Sequence, residues 1–244
     1  MSLLEVDGVS VRYGGIVAVR GVSLRVERGE VVALLGANGA GKSSLLNGLV
    51  GLVRGTAGSV RLDGTEVGRR PAYRRARLGL VQVPEGRAIV GSLTVEENLL
   101  LGAYTRTGRS ARQAALAAAY ELFPVLRERR SVGAAMLSGG EQQMLAVGRA
   151  MAGAPRCVVM DEPSVGLSPL MVETVFNRVR AMADSGVGVL LAEQNVAASL
   201  AIADRVYVLQ RGEVVRSGTA AEIEADDAVM EAFLGLTGSA GAAG

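Results

Sequence analysis

Gly36-Ala37-Asn38-Gly39-Ala40-Gly41-Lys42-Ser43 has the spacing of a phosphate-binding loop, G-x-x-x-x-G-K-[ST]. Glycines let such a backbone curl until several N–H groups converge, and the helix that follows adds its partial positive charge. Lys42 is then expected to reach the β- and γ-phosphates of a nucleoside triphosphate, with the Ser43 hydroxyl on Mg²⁺. Of 26 basic residues, Lys42 is the only lysine. A compact ammonium stands where a planar guanidinium would fit poorly among phosphate oxygens. Two carboxylates answer the loop further along the chain. Asp161 can hold Mg²⁺, often through water, and Glu162 can orient or deprotonate the attacking water. Either carboxylate alone could be a turn residue, but together they close the apolar run Cys157-Val158-Val159-Met160 and precede Pro163.

The neighbouring residues predict elements that would hold this chemistry in place. Val31 to Leu35 reads as a buried parallel strand leading into the loop, and Ser44 to Val50 as a helix leading out. The candidate nucleotide-binding set is thus Gly36, Asn38, Gly39, Ala40, Gly41, Lys42, Ser43 and Ser44. Upstream, alternating apolar residues around Gly14-Gly15 predict antiparallel strands. Tyr13, beside that glycine pair, is either a half-buried strand residue or a ring stacked on the base. Asp63-Gly64 predicts a hairpin turn. Arg69, Arg70, Arg74, Arg75 and Arg77 read as a solvated helix face. Leu78 to Val83 predicts another core strand, closed by Pro84-Glu85-Gly86-Arg87. From 94 to 155 the pattern turns helical, with capping boxes at Thr94/Glu97 and Ser138/Glu141 and a cap at Ser110. Strand and helix then alternate again, a hairpin turns at Arg211-Gly212, and a last helix spans roughly 220 to 234. The fold class is α/β: a mostly parallel core (1–84 and 156–234), an antiparallel N-terminal β part and an inserted helical part (94–155). The Gly/Ala/Ser-rich stretch 235–244 reads as a frayed tail.

The totals exclude several classes. With no histidine, no mechanism can use an imidazole of this chain as base, nucleophile or ligand. Cys157 is the single cysteine, so no internal disulfide forms and a reducing compartment is expected. Aromatics are only 3% and net charge +2, which argues against nucleic acid as partner. No apolar run approaches the roughly 20 residues of a membrane span. The chain is therefore expected in the cytoplasm, free to sit against a membrane protein.

Leu137-Ser138-Gly139-Gly140-Glu141-Gln142-Gln143 adds a second helix N-terminus with bare glycine amides, hence a second anion site. This stretch resembles the signature motif of ATP-binding cassette (ABC) proteins, and the resemblance covers nearly the whole chain. It implies the ABC ATPase fold, with Ser138, Gly139, Gly140 and Glu141 contacting the γ-phosphate of ATP held by a second cassette. It also implies that Tyr13 stacks on the base.

Three positions depart from the usual family pattern. Glu85 stands where a glutamine is common, Gln194 where a histidine is common, and Ser168 where an aspartate is common. Glu85 keeps an oxygen for Mg²⁺ or water, and Gln194 keeps a donor for the γ-phosphate. With their neighbours, Val83-Pro84-Glu85-Gly86-Arg87 and Glu193-Gln194-Asn195 resemble one of the two ATPase subunits of branched-chain amino-acid importers and of related urea and amide importers. The resemblance implies ATP hydrolysis assisted by Glu162, Gln194 and Glu85. The implied partners are a second ATPase subunit, two membrane permeases and, indirectly, a secreted solute-binding protein. Non-transport ABC proteins usually carry a coiled coil or a tandem cassette; neither is visible here.

Overall fold

The computed structural model describes residues 2–105 and 108–227. Its first sheet is antiparallel and follows the alternation read from the sequence. β1 (Leu4–Tyr13) pairs with β2 (Ile16–Val26) on one side and with β4 (Thr56–Leu62) on the other; β5 (Thr65–Glu66) completes the order β2-β1-β4-β5. Val6, Val9 and Val11 of β1 and Val22, Leu24 and Val26 of β2 turn inward. Asp63 and Gly64 both take left-handed backbone (φ 51° and 72°), as a tight hairpin requires.

The second sheet carries β3 (Val31–Leu35), β6 (Leu80–Val83), β7 (Cys157–Asp161), β8 (Gly188–Glu193), β9 (Arg205–Gln210) and β10 (Glu213–Thr219). Its order is β10-β9-β3-β8-β7-β6, parallel except for the antiparallel edge strand β10. Strands covered on both faces need no polar alternation, and β3, β7 and β8 are buried along their whole length. Along β3, Val32 and Leu34 pack into the core shared with the antiparallel sheet, while Ala33 and Leu35 face a smaller one with Val196. Helix α1 (Lys42–Val50) puts Leu45, Leu46 and Leu49 into that first core, so it lies pinned between the sheets.

α2 (Ala72–Leu78) corrects the reading of the arginine cluster. Arg75 is buried, and its guanidinium donates to the carbonyl oxygens of Gly48 (2.9 Å) and Leu49 (2.6 Å) at the C-terminal end of α1. It also donates to Gly68 and Arg70. A planar cation can satisfy several helix-end carbonyls at once, which a solvated residue would leave to water. The helix also claims Leu78, with Gly79 as its left-handed cap (φ 102°), so the following strand starts at Leu80.

α3 (Val95–Gly102), α4 (Arg109–Leu122), α5 (Pro124–Glu128) and α6 (Gly139–Ala152) form the helical part. Both expected capping boxes are present, at Thr94 and Ser138. Ser110 is not a cap: α4 begins one residue earlier, behind Gly108, and the serine lies in its first turn. Leu99, Ala119, Phe123, Leu126, Leu145 and Val147 share a core that reaches under β7. α3 crosses α6 so closely that a Cβ at Gly102 would collide with the Arg149 carbonyl oxygen. The rest follows as α7 (Pro169–Asp184), α8 (Val196–Leu200) and α9 (Ala220–Glu224), the last opened by a capping box at Thr219. The expected continuation of α9 to 234 and the tail 235–244 lie outside the described residues. Among the described residues, no helix is long and apolar enough to cross a membrane.

Candidate active site at the carboxyl edge of the parallel sheet

Four adjacent strands deliver the candidate residues to one edge. The phosphate loop leaves β3, Gln194 follows β8, Asp161 and Glu162 end β7, and Glu85 lies in the turn after β6. The parallel register sets their level: Leu35 lies opposite Glu193, and Asp161 opposite Ala192. In an open α/β sheet this edge is where ligands bind.

Around the loop, each polar contact has a partner of the right kind. Lys42 is only 4% exposed, and its ammonium donates to the carbonyl oxygens of Gly36 (2.7 Å) and Ala37 (3.2 Å). It also lies 3.0 Å from a carboxylate oxygen of Glu162. Ser43 donates its hydroxyl to Asp161 (2.9 Å). The Gln194 amide donates to Glu162 (2.8 Å) and to Asn38 (2.5 Å), closing a chain from loop to carboxylate. Gln82 ties β6 to α1 by donating to Asn47 (3.0 Å). α1 opens on Gly41 in left-handed backbone (φ 108°), with no side chain capping its first amides. Glu162 is also left-handed (φ 47°), a costly backbone for a residue with a side chain and typical of functional sites.

Electrostatics separate Asp161 from ordinary surface acids. Burial raises the Asp161 pKa above its usual value, and the charges of Glu162 and Glu85 add to this, against the Ser43 hydrogen bond and Lys42. Three acids therefore share one edge with one lysine, an excess of negative charge that a cation would offset. Among the described residues, no three acidic or cysteine side chains converge on one point. Mg²⁺ needs no such cage, since it uses one or two protein oxygens and leaves the rest to water and phosphate. The hard oxygens of Ser43 and Asp161, with Glu85 beside them, fit that pattern.

The cleft over these groups measures about 520 Å³ and is lined by Asn38, Gly39, Gly41, Lys42, Ser43, Ser44, Glu85 and Glu162. Gly36 and Ala40 shape the loop beneath. Ile16, Val17, Ala18 and Arg211 complete the lining. Tyr13 does not: it is 46% exposed and borders a neighbouring hollow with Leu52, Val53 and Arg54. Ser138, Gly139, Gly140 and Glu141 also stand apart from the cleft, at the N-terminus of α6. There Ser138 accepts from the Glu141 amide, and Glu141 accepts from the Ser138 amide. The carboxylate is held below its usual pKa mainly by that backbone bond. Sequence reasoning passed over Arg211, at the tip of the β9–β10 hairpin, and the buried Glu193. An acid ending an otherwise apolar strand was the available signal for Glu193.

The strand order, the loop and the carboxylate pair define a P-loop nucleotide-binding core. The family described as ABC transporter matches residues 19–165. The chain is 43% identical over 233 residues to the high-affinity branched-chain amino acid transport ATP-binding protein BraG of Pseudomonas aeruginosa, covering 96% of this chain and 100% of that protein. It is 35% identical over 237 residues to the lipopolysaccharide export system ATP-binding protein LptB of Escherichia coli, covering 96% and 98%. Among solved structures, the ADP conformation of an ATP-binding cassette of an ABC transporter superposes with a TM-score of 0.86 at 26% identity, covering 96% and 99%. A nucleotide-free cassette superposes at 0.84, with 25% identity over 95% and 98%. The chain belongs to the ABC transporter family, as one of its ATPase subunits.

Proposed function

We propose that this subunit powers import of branched-chain amino acids. The observation that carries the reading is the 43% identity to BraG over that protein's full length. The glutamate and glutamine variants at Glu85 and Gln194 support it. In this reading the amides of the phosphate loop and Lys42 hold the β- and γ-phosphates, and Gln194 donates to the γ-phosphate. Glu162 orients the attacking water and takes its proton as the bond to the γ-phosphorus forms and the bond to the β–γ bridging oxygen breaks, with ADP leaving. Mg²⁺, when bound, would be held by Ser43 and Asp161 with Glu85 beside it, and would neutralise phosphate charge. Tyr13 would carry the base from beside the cleft. Ser138, Gly139, Gly140 and Glu141 would meet the γ-phosphate on a second cassette, so two subunits close around two ATP molecules.

A groove of about 540 Å³ lies between the parallel sheet and the helical part, lined by Tyr73, Ala76, Arg77, Val81, Leu101 and Tyr104. Tyr104 is 77% exposed there. Its mixed aromatic, aliphatic and cationic lining suits a helix of a membrane permease, and in this reading the chain works at the cytoplasmic face of the membrane. Two permeases and a secreted binding protein would complete the importer.

The test is uptake by vesicles holding the chain with the membrane subunits that co-purify with it. ATP-driven entry of labelled leucine, isoleucine or valine is expected, abolished by Glu162→Gln, which should still bind ATP and form an ATP-stabilised dimer. Entry of urea or short amides instead would reassign the cargo; outward movement of lipid would overturn the reading.

A further inference from the structure

Glu193 is 1% exposed, at the end of a strand that is otherwise apolar. Among the described residues it forms no ion pair, and neutral donors alone surround its carboxylate. Ser164 donates both its amide (2.8 Å, to Oε1) and its hydroxyl (2.8 Å, to Oε2). The amides of Gln194 (3.2 Å) and Asn195 (3.4 Å) also donate to Oε2. Ser164 belongs to the turn that follows Glu162, and Gln194 is the residue whose side chain holds Glu162 at 2.8 Å. One carboxylate thus grips the loops on both sides of the Glu162–Gln194 contact. A carboxylate desolvated this fully is costly, and burial raises its pKa despite the four hydrogen bonds.

We propose that Glu193 is a positioning residue for ATP hydrolysis, locking the Gln194 backbone and the turn after Glu162 to each other. The two groups that act on the γ-phosphate and the water then approach as one unit. Only an acceptor at both oxygens can do this. In Glu193→Gln, of nearly equal volume, the NH₂ group must oppose the Ser164 amide at the Oε1 position or the Gln194 and Asn195 amides at the Oε2 position, so the grip on one of the two loops weakens.

The inference rests on the proposed ATPase mechanism, and the test separates the two. With the full chain and its co-purifying membrane subunits on Mg-ATP, Glu193→Gln should lower kcat about 10- to 50-fold while KM stays within about twofold, since loop and Lys42 are untouched. Ser164→Ala, the milder variant, should lower kcat about 3- to 10-fold, again without a change in KM. Combined with Gln194→Leu, the loss from Glu193→Gln should fall well short of the product of the single losses, because both act through the same contact. A residue that only supports the fold would give losses that multiply, or a KM that rises with kcat intact; either result overturns the proposal. So does parental kcat in Glu193→Gln, or in Ser164→Ala if Glu193→Gln fails to fold. A parent chain without Mg-ATP turnover would sink the proposed function itself.

Discussion

Among the described helices that begin at glycines, α1 and α6 are finished in opposite ways. α1 opens on left-handed Gly41 with no side-chain cap, and carboxylates and an amide from three neighbouring strand ends surround its first turn. α6 opens on Ser138, whose capping box already satisfies one amide and draws another onto Glu141. Burial differs as much: Lys42 is enclosed, whereas Glu141 keeps a partly exposed carboxylate that leans on Arg129 (3.6 Å). The first terminus gathers a lysine, a hydroxyl, carboxylates and an amide from within one chain. The second supplies donors and one acid. The difference teaches that glycine at a helix start marks where an anion can approach, while the surrounding strands decide whether chemistry follows.

The largest effect should come from breaking the first terminus. Lys42→Ala removes the one cation among the loop carbonyls and Glu162, and turnover should fall at least about 10²–10³-fold with ATP affinity. Calorimetry and phosphate release measure the two losses; near-parental binding would undo the assignment of the α1 terminus as the nucleotide-binding one. Gln194 tests the enclosure instead. A hydrogen bond to a charged group contributes roughly 1.5–3 kcal/mol, so Gln194→Leu should slow turnover about 10- to 100-fold. Gln194→His should retain substantial activity and add a titration near pH ~6.5, which the parent lacks, in pH–rate profiles at saturating Mg-ATP. Parental turnover in Gln194→Leu would make this residue structural. The smallest effect belongs to the second terminus. Ser138→Ala should cost about 1 kcal/mol in thermal or denaturant unfolding through the lost cap, and leave ATP binding by the single chain unchanged. Weakened binding there would mean the two termini are not independent.

The contrast also explains what could be read in the letters. The phosphate loop, Asp161-Glu162 and the apolar runs before them are local patterns, and strand order then brings them to one edge. The α6 terminus was legible locally as a cap, and its second use only through family resemblance. What escaped was set by distant partners. Arg75 reads as one more charge in a basic run, because the two α1 carbonyls it serves lie 27 and 26 residues earlier in the chain. Glu193 signalled only an acid at the end of an apolar strand, since its partner Ser164 reaches it from the turn between β7 and α7. The start of α4 was missed by two residues because its cap is Gly108, with no side chain to signal it, and not Ser110.

Arg75 has a mechanical consequence. One face of α2 holds the C-terminal end of α1 through two guanidinium bonds, while Tyr73, Ala76 and Arg77 on the same short helix line the groove. The opposite end of α1 carries Lys42 and Ser43. A rod of nine residues, about 13 Å long, therefore runs from the phosphate loop to a bracket bolted onto the groove wall. Any body that pushes on α2 must drag this rod with it or tear charged hydrogen bonds from buried carbonyls.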